Sequence, residues 1–208
     1  FVDNVVAVNN NSKDKTKEVA KSFGFIVVDE TRAGYGSAYK KGFKSFPENT
    51  DIIVTFDADG TYGTNNLDKI LDKIIEDGYD FINCSRFPLK DKNSMYWLNK
   101  LGNWGLTLFF NMLTFGNIKD SQTGMWVFKK EVLNELILRS NGMPFSQEIK
   151  MEAVLNKNVK FSEYNVEYYE RTGETKLNAL KDGWRNLKHL FIKRFKISIR
   201  GLKKYIYK

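Results

Sequence analysis

The sequence predicts an α/β protein in which a mostly parallel sheet is flanked by helices. Short runs rich in Val, Ile and Phe have the length and composition of buried strands. Amphipathic helical patterns alternate with these runs, and polar or Gly-containing turns separate them. Alternation of strand and helix favours parallel pairing, because each helix returns the chain to the edge of the sheet where the previous strand began.

The first half of the chain shows this alternation most regularly. Ser12 or Asp14 can cap the first helix, which Gly24 ends. Gly34 and Gly36 form a turn that opens the second helix. The predicted elements are strands at 5–8, 25–28, 52–56 and 81–84, with helices ending at residue 23 and spanning 37–46 and 66–76.

The second half is less regular. Helices are predicted over 96–114, 130–138 and 147–155, and strands at 125–128 and within 159–169. No stretch reaches the roughly 18 consecutive apolar residues of a membrane-spanning helix. The chain starts without an initiator Met or a signal-peptide pattern, so we expect it to be part of a longer protein.

Composition narrows the possible functions. The 208 residues suffice for one domain with a substantial core. The single cysteine, Cys84, excludes an internal disulfide and fits a reducing compartment. The only histidine, His189, lies in a basic segment, which disfavours hydrolases that depend on a catalytic histidine.

Asp57 and Asp59 follow the apolar run 52–56 directly and are followed by Gly60. Ligands of such sheets bind at the carboxyl ends of the strands. Two carboxylates there suit Mg²⁺ or Mn²⁺ bridging a diphosphate, because these ions prefer carboxylate and phosphate oxygens. A simple surface turn is the alternative, since Asp and Gly are common in turns.

Four other polar features are candidates for which the sequence alone leaves both a functional and a purely structural interpretation open. The turn at 34–36 could approach a phosphate with its backbone amides, but it matches neither G-x-G-x-x-G nor the P-loop, which favours a tight turn. The loop 120–124 could face an acceptor. Glu148 and Glu152 share one helical face, where solvated charges are the simpler interpretation. Arg171 and Lys176 bracket a Gly turn that could close over a diphosphate.

Residues 181–208 carry ten Lys or Arg against one acid, a net charge of +9, so the preceding residues contribute −1 to the total of +8. Apolar residues in this tail recur at helical spacing, although Gly201 could break the helix. They are Trp184, Leu187, Phe191, Phe195, Ile199, Leu202 and Ile206. The pattern favours a helix lying on an anionic membrane surface. The alternatives are docking on the protein's own core or binding nucleic acid, for which RNA-binding motifs are absent.

Taken in order, these segments resemble the family 2 glycosyltransferases, and among them the dolichyl- or polyprenyl-phosphate sugar synthases. The resemblance covers residues 5–190. The matching stretches are VNNNSKDKT (8–16), GYGSAYKKGF (34–43), FDADGTY (56–62), NCSRF (83–87), LGNWGLTLFFNML (101–113), DSQTGMWVFKKE (120–131), FSQEIKMEA (145–153), YYERTGETKL (168–177) and DGWRNLKHL (182–190).

The resemblance implies a GT-A fold, a Rossmann-like sheet that binds a nucleotide-sugar, usually with a divalent metal at the D-x-D. It implies that Asp57 lies near the ribose and diphosphate and that both Asp57 and Asp59 hold the metal. Asp120 and Glu148 join them as implied catalytic residues. The implied substrate-binding residues are Asn9, Asn11, Asp14, Gly34, Gly36, Ser85, Arg86, Lys100, Asn103, Gln122, Arg171 and Lys176.

The chain departs from the family pattern at a few positions. Asn9 and Asn11 stand where the family has an acid and a glycine, and Thr61 stands where some synthases have a third metal ligand. The family's first strand, normally central in the sheet, is absent. We therefore expect residues 1–180 to form an N-terminally incomplete GT-A domain and residues 181–208 to be a membrane-proximal segment.

The expected activity is inverting transfer of a sugar from a UDP- or GDP-sugar to dolichyl or polyprenyl phosphate, by a peripheral protein on the cytoplasmic membrane face. A lipid phosphate is already anionic near neutral pH and needs no strong base. A polysaccharide or protein hydroxyl acceptor would need one, with Asp120 or Glu148 as candidates. A non-catalytic module that binds nucleotide-sugars is the alternative outside enzymology.

Overall fold

The structure is a computed structural model that describes residues 2–171 and 179–206, with side chains described for 2–171 and 183–200. The chain divides into two compact units. The first consists of Phe1–Thr50 and Arg139–Phe145, and the second of Asp51–Leu138 and Ser146–Lys208.

The first unit is built on two parallel strands, each followed by a helix. Its elements are β1 (Val6–Asn9), α1 (Thr16–Ser22), β2 (Ile26–Asp29) and α2 (Tyr35–Phe43). The two strands pair from Val6 opposite Ile26 to Asn9 opposite Asp29. The predicted alternation is therefore confirmed here, with boundaries shifted by one to three residues.

Two glycines let the start of α2 approach residues 139–145. Gly34 has a φ of +137°, and a Cβ built there would lie 2.3 Å from the carbonyl oxygen of Asn141. A Cβ on Gly36 would lie 2.5 Å from the carbonyl oxygen of Ser140. Close packing thus accounts for both glycines, because any side chain would collide with backbone.

The second unit contains a four-stranded sheet and most of the helices. Its elements are β3 (Ile52–Thr55), α3 (Leu67–Ile75), β4 (Phe81–Ser85), α4 (Trp97–Thr114), β5 (Trp126–Lys129), α5 (Val132–Glu135), α6 (Phe145–Leu155, whose first residue belongs to the other unit), β6 (Phe161–Asn165) and α7 (Ala179–Ile206). The predicted helix over 130–138 is much shorter, because the chain is already extended at Leu136, whose side chain is buried.

The strand order in this sheet is β3-β5-β4-β6. β5 is antiparallel to both β3 and β4, whereas β4 and β6 are parallel. Three of the four strands therefore run in the same direction, which confirms the predicted mostly parallel sheet. Every residue of β4 is buried, as expected for an inner strand with both faces covered.

Helices cover the sheet through two apolar clusters. Leu67, Ile70 and Ile74 of α3 are three and four residues apart and pack with Ile82 and Val127 of the sheet. Full burial of such side chains contributes about 1.5–3 kcal/mol each. The second cluster joins α4, α6 and α7 through Phe110, Ile118, Met151 and Leu190.

Helix α7 docks on the protein through one face, and most of the described residues of its predicted apolar stripe remain exposed. Leu190 is fully buried, the ring centroids of Phe191 and Phe109 of α4 lie 4.6 Å apart, and the Nε of Arg194 donates to the carbonyl oxygen of Leu113 (2.7 Å). Trp184, Phe191, Phe195 and Ile199 are exposed. Docking on the core therefore occurs, mainly through Leu190 and Arg194, which lie outside the predicted stripe, and through Phe191, which belongs to it.

The helix continues through Gly201, and the predicted boundary between residues 180 and 181 falls inside it. No helix in the described part of the chain is both long and apolar enough to cross a bilayer.

Candidate active site

The two predicted metal-binding carboxylates lie directly after β3, at the edge of the sheet. Asp57 and Asp59 are both partly exposed. Thr61 orients Asp59, whose Oδ1 accepts hydrogen bonds from the Thr61 hydroxyl (2.6 Å) and backbone N–H (3.2 Å). Thr61 therefore holds one oxygen of this carboxylate and leaves the other oxygen to a different partner.

That other oxygen faces Arg171. The Nη2 of Arg171 lies 2.9 Å from the Oδ2 of Asp59, and the two side chains are 36% and 19% exposed. The structure thus brings together two site residues that are more than one hundred positions apart in the sequence. Lys176, the second cation predicted for this loop, lies outside the described residues.

Backbone pairing explains how Arg171 reaches Asp59. The segment after β6 runs beside the segment after the D-x-D: Gly63 N donates to the carbonyl of Glu167 (3.2 Å) and Tyr169 N to that of Thr61 (2.8 Å). The rings of Tyr62 and Tyr168 meet edge-on at 5.4 Å. These contacts place the start of the predicted phosphate loop beside the predicted metal ligands.

Asp57 and Asp59 are suitable donors for a hard divalent cation that completes its coordination with phosphate oxygens and water. The described residues contain no group of three or more His, Cys, Asp or Glu side chains arranged to hold a metal.

A second group of predicted site residues surrounds a buried ion pair. Arg86 donates to Asp120 through Nε (2.7 Å), Nη2 (2.9 Å) and its backbone N–H (3.1 Å). Burial by itself raises the pKa of Asp120, but the Arg86 guanidinium outweighs burial and holds that pKa below the usual carboxyl value. Asp120 also accepts from the backbone N–H of Gln122 (3.0 Å). It is therefore a charged anchor for its loop, with both oxygens engaged.

Tyr62, which sequence reasoning did not select, joins the two groups. Its hydroxyl accepts from the N–H of Gly124 (2.7 Å) and lies 3.2 Å from the hydroxyl of Thr123. The Arg86 guanidinium lies 5.2 Å from the centre of the Tyr168 ring, which itself packs on Tyr62. Burial raises the pKa of Tyr62, so its hydroxyl stays protonated. Tyr62 thus connects the D-x-D segment to the 120–124 loop through its hydroxyl hydrogen bonds and packs its ring against Tyr168.

Lys150 is the second residue that sequence reasoning missed. It is completely buried in α6, donates to the carbonyl of Thr123 (2.7 Å) and the hydroxyl of Ser146 (3.0 Å), and lies over the Trp126 ring. Burial lowers the pKa of Lys150 to about 7. Because α6 is buried on nearly all sides, no periodic pattern distinguishes this lysine from a surface one.

Glu148 and Glu152 are not solvated helix charges, so the simpler sequence interpretation is wrong. Both are buried, and Lys193 of α7 contacts both carboxylates, at 2.9 Å from Glu148 and 2.6 Å from Glu152. Arg200 pairs with Glu152 at 2.8 Å. The basic tail was the feature of the sequence that could have indicated this burial, because its cations neutralise the two acids.

Other predicted residues of the second unit contribute to local structure. The Ser85 hydroxyl is within hydrogen-bond distance of the backbone of Phe87, and Gln122 Oε1 accepts from Asn186 Nδ2 (3.4 Å). Lys100 donates to the carbonyl of Lys92, and Asn103 to the Met95 sulfur at 3.3 Å. Ser85 and Gln122 thus lie with the Arg86–Asp120 pair, whereas Lys100 and Asn103 hold the segment before α4.

In the first unit, three predicted residues shape the turn after β1. Asn9 Nδ2 donates to Asp29 (2.8 Å), and Asn11, at a φ of +59°, donates to the carbonyl of Thr31 (2.8 Å). Asp14 accepts from the N–H of Thr16, the first residue of α1 (3.0 Å). Asparagine tolerates the left-handed conformation better than most residues, which suits Asn11 to its position.

Comparison with known proteins identifies the family. Residues 2–137 match the Glycosyl transferase family 2 model, and the chain belongs to this family. It is 33% identical over 189 residues to the low-salt glycan biosynthesis hexosyltransferase Agl6 of Haloferax volcanii, covering 90% of this chain and 45% of the relative. It is 31% identical over 179 residues to a dolichyl-phosphate hexose transferase of the same organism, covering 86% and 75%.

A third relative is the UDP-N-acetylglucosamine–dolichyl-phosphate N-acetylglucosaminyltransferase of Methanococcus voltae, 31% identical with 64% of this chain and 61% of the relative covered. Among solved structures, glucosyl-3-phosphoglycerate synthase from Mycobacterium tuberculosis in complex with Mn²⁺, UDP-glucose and phosphoglyceric acid aligns with a TM-score of 0.67 at 15% identity, covering 94% of this chain and 68% of that one. This likeness confirms the GT-A fold. The chain spans less than half of the first relative and three quarters of the second.

Proposed function

We propose that this chain is the catalytic part of an inverting glycosyltransferase that moves a sugar from a nucleotide diphosphate to dolichyl or polyprenyl phosphate. The sugar is a hexose or N-acetylhexosamine, UDP is the favoured nucleotide, and GDP is the alternative. The protein acts peripherally at the cytoplasmic face of an anionic membrane. Relatives named for transfer to dolichyl phosphate support the acceptor.

The contact between Asp59 and Arg171 is the observation that carries the proposal. A site that releases a nucleoside diphosphate needs positive charge at the phosphates, and Arg171 places a guanidinium 2.9 Å from Asp59 at the edge of the sheet. Because both side chains remain partly exposed, Arg171 can turn from the carboxylate to phosphate oxygens. Lys176 would add a second cation from the same loop.

Asp57 and Asp59 would hold Mg²⁺ or Mn²⁺, in keeping with the donor set at the end of β3. When bound, the cation neutralises the developing charge on the departing diphosphate. Thr61 keeps Asp59 oriented for this role through its two hydrogen bonds.

A phosphate acceptor is favoured over a hydroxyl because both candidate bases are engaged. Asp120 is completely buried and bound by Arg86, and Glu148 is buried and paired with Lys193. A general base must be able to reach the proton that it removes. In this proposal, Asp120 and Glu148 act by positioning the 120–124 loop and α7. An anionic lipid phosphate needs no base.

The remaining predicted binding residues keep the roles that the family resemblance implies. Asn9, Asn11 and Asp14 are proposed nucleotide contacts, and Gly34 and Gly36 shape the chain near them. Ser85, Arg86 and Gln122 are proposed contacts or supports for the sugar and acceptor. Lys100 and Asn103 are proposed substrate contacts.

The direct test is sugar transfer by the protein in the presence of Mn²⁺. UDP- and GDP-sugars would be offered with a polyprenyl phosphate, the corresponding polyprenol and a hydroxyl-bearing oligosaccharide. We expect product only with the phosphate acceptor. Asp59→Asn should lower the rate by about 10²–10³-fold, the usual cost of losing one charge-stabilising group.

Asp68→Asn is the matched control, because Asp68 is an exposed acid in the first turn of α3 and is not among the predicted site residues. Full activity of Asp59→Asn would refute the metal-site assignment. Transfer to the polyprenol or oligosaccharide, with none to the phosphate, would refute the acceptor assignment. Calorimetric binding of UDP without any turnover would support a non-catalytic module.

A further inference from the structure

Helix α4 presents an apolar face to solvent along its whole length. The exposed residues are three or four positions apart, which keeps them on one side of the helix. They form the α4 stripe, which consists of Trp97, Leu101, Trp104, Leu108, Met112 and Phe115, and each is between 54% and 89% exposed. The opposite side carries Thr107, Phe110 and Thr114, which are buried. A folded protein rarely leaves so long an apolar face uncovered without a partner for it.

The residue that ends α4 is also apolar and exposed. Phe115 caps α4 in the left-handed conformation, with a φ of +54°, and its ring is the most exposed of the stripe. Glycine or asparagine suits that conformation better. An aromatic side chain held outward there contributes little to the fold itself, but it extends the apolar surface by a full ring.

A second exposed stripe lies on the neighbouring helix. The α7 stripe consists of Trp184, Phe191, Phe195 and Ile199. Phe191 also packs edge-on against Phe109 of α4 with ring centroids 4.6 Å apart, so the two stripes lie on helices in direct contact. A residue of the α7 stripe thus contacts α4 directly.

The charges beside these stripes identify the partner. The sequence of α4 contains no acid and a single Lys, and exposed cations of α7, including Lys188 and Lys196, lie beside the α7 stripe. Three of the four tryptophans of the chain lie on the stripes, whereas Trp126 is buried. Apolar residues, tryptophans and flanking lysines together are typical of helices that lie in the interface of an anionic bilayer.

We infer that the α4 and α7 stripes together form a membrane-docking surface that inserts into the interface of an anionic lipid bilayer. The inference deepens the proposed function, on which it rests, by assigning to α4 a contact that the basic tail alone was expected to make. Tryptophan and leucine side chains supply the apolar contact, and the lysines of α7 interact with lipid headgroups.

Vesicle flotation of the protein tests the inference without any sugar donor. Binding is expected to be stronger to phosphatidylcholine vesicles containing phosphatidylserine than to pure phosphatidylcholine. The double variant Trp104→Ser, Leu108→Ser should lower binding by about tenfold or more, because two apolar side chains lose their place in the bilayer. Ile75→Ser is the matched control, since Ile75 is equally exposed on α3 but lies outside both stripes.

Charge is tested with Lys188→Glu and Lys196→Glu together. These changes should weaken binding to the anionic vesicles and leave the weaker binding to neutral vesicles unchanged. Lys69→Glu on α3 is the control, as Lys69 is exposed there. Brominated lipids should quench most tryptophan emission from the wild type, since only Trp126 is buried away from the stripes.

A second assay separates this inference from the proposed function. Transfer to a short, water-soluble prenyl phosphate needs no membrane, so the stripe variants should keep that activity while they lose vesicle binding. Equal vesicle binding by wild type and stripe variants would overturn the inference, whatever the transfer assay shows. A concentration-dependent dimer that the Trp104→Ser, Leu108→Ser variant abolishes, without vesicle binding by either protein, would assign the surface to a second copy instead. Vesicle binding without transfer to any acceptor would overturn only the proposed function.

Discussion

Two aspartate–arginine pairs of this protein use the same chemistry in opposite environments. Asp59 and Arg171 meet at the sheet edge with both side chains partly exposed, whereas Asp120 and Arg86 meet where almost no surface remains. The first pair joins residues from two loops, one of which continues beyond the described residues. The second is held by three hydrogen bonds and by the aromatic ring of Tyr168.

The difference shows which carboxylate can exchange its partner for a ligand. Water screens the exposed pair, so separating Asp59 from Arg171 costs little. Separating the buried pair would leave two charges without water or partner, which is far more costly. A ligand can therefore compete for Asp59 and Arg171, while Asp120 and Arg86 maintain the geometry around them.

Asp120→Asn should have the largest effect on stability. It leaves the Arg86 charge buried and uncompensated, and we expect the free energy of unfolding to fall by about 3–5 kcal/mol. Urea unfolding followed by tryptophan fluorescence measures the change. In the double variant Arg86→Leu, Asp120→Leu, the free energy of unfolding should fall by less than the sum of the decreases in the two single variants, because both charges are removed together. If the free energy of unfolding of the double variant fell by the sum of the two single-variant decreases, the two residues would stabilise the protein independently of each other.

Lys150 provides an intermediate effect that depends on pH. Its folded-state pKa of about 7 lies below the unfolded value of roughly 10.4. Between these values the unfolded chain binds more protons than the folded one, so stability rises as pH increases. From pH ~7 to ~8.5 we expect this group to add at most about 1.4 kcal/mol per pH unit to the free energy of unfolding.

Lys150→Met removes the titrating group and keeps the length of the side chain. Between pH ~7 and ~8.5, the urea midpoint of the wild type should rise relative to that of this variant. Other titrating groups, such as Cys84, affect both proteins alike and cancel in the difference. If the urea midpoints of the two proteins changed with pH by the same amount, the buried lysine would not be the source of the pH dependence.

Asp59→Asn should have the smallest effect on stability. Because the pair with Arg171 is partly exposed, we expect the free energy of unfolding to change by less than about 1 kcal/mol. The same variant should abolish nearly all sugar transfer under the proposed function. If Asp59→Asn lowered the free energy of unfolding as much as Asp120→Asn does, Asp59 would be a structural residue. The contrast between the two pairs would then not hold.

Sequence patterns predicted most of the secondary structure and the local form of the site. The apolar runs of β3 and β4 and the spacing of Leu67, Ile70 and Ile74 require only local chemistry, so they were predictable. Asp57 and Asp59 were recognisable for the same reason, because the strand and its acids are adjacent in the chain. The ordered motifs then added the family, which the comparisons confirm.

Tertiary structure decided which charges are buried and which apolar residues are not. Glu148, Lys150 and Glu152 look like surface charges in the sequence, yet α6 is enclosed and Lys193 of α7 neutralises the two acids. The apolar stripe of α7 was compatible with a membrane surface or with docking on the core, and Leu190, which lies outside the stripe, makes the fully buried contact. Periodicity determines that residues share a side of a helix. Only the packing of the other helices determines whether that side meets protein or solvent, because burial depends on neighbours that are distant in the sequence.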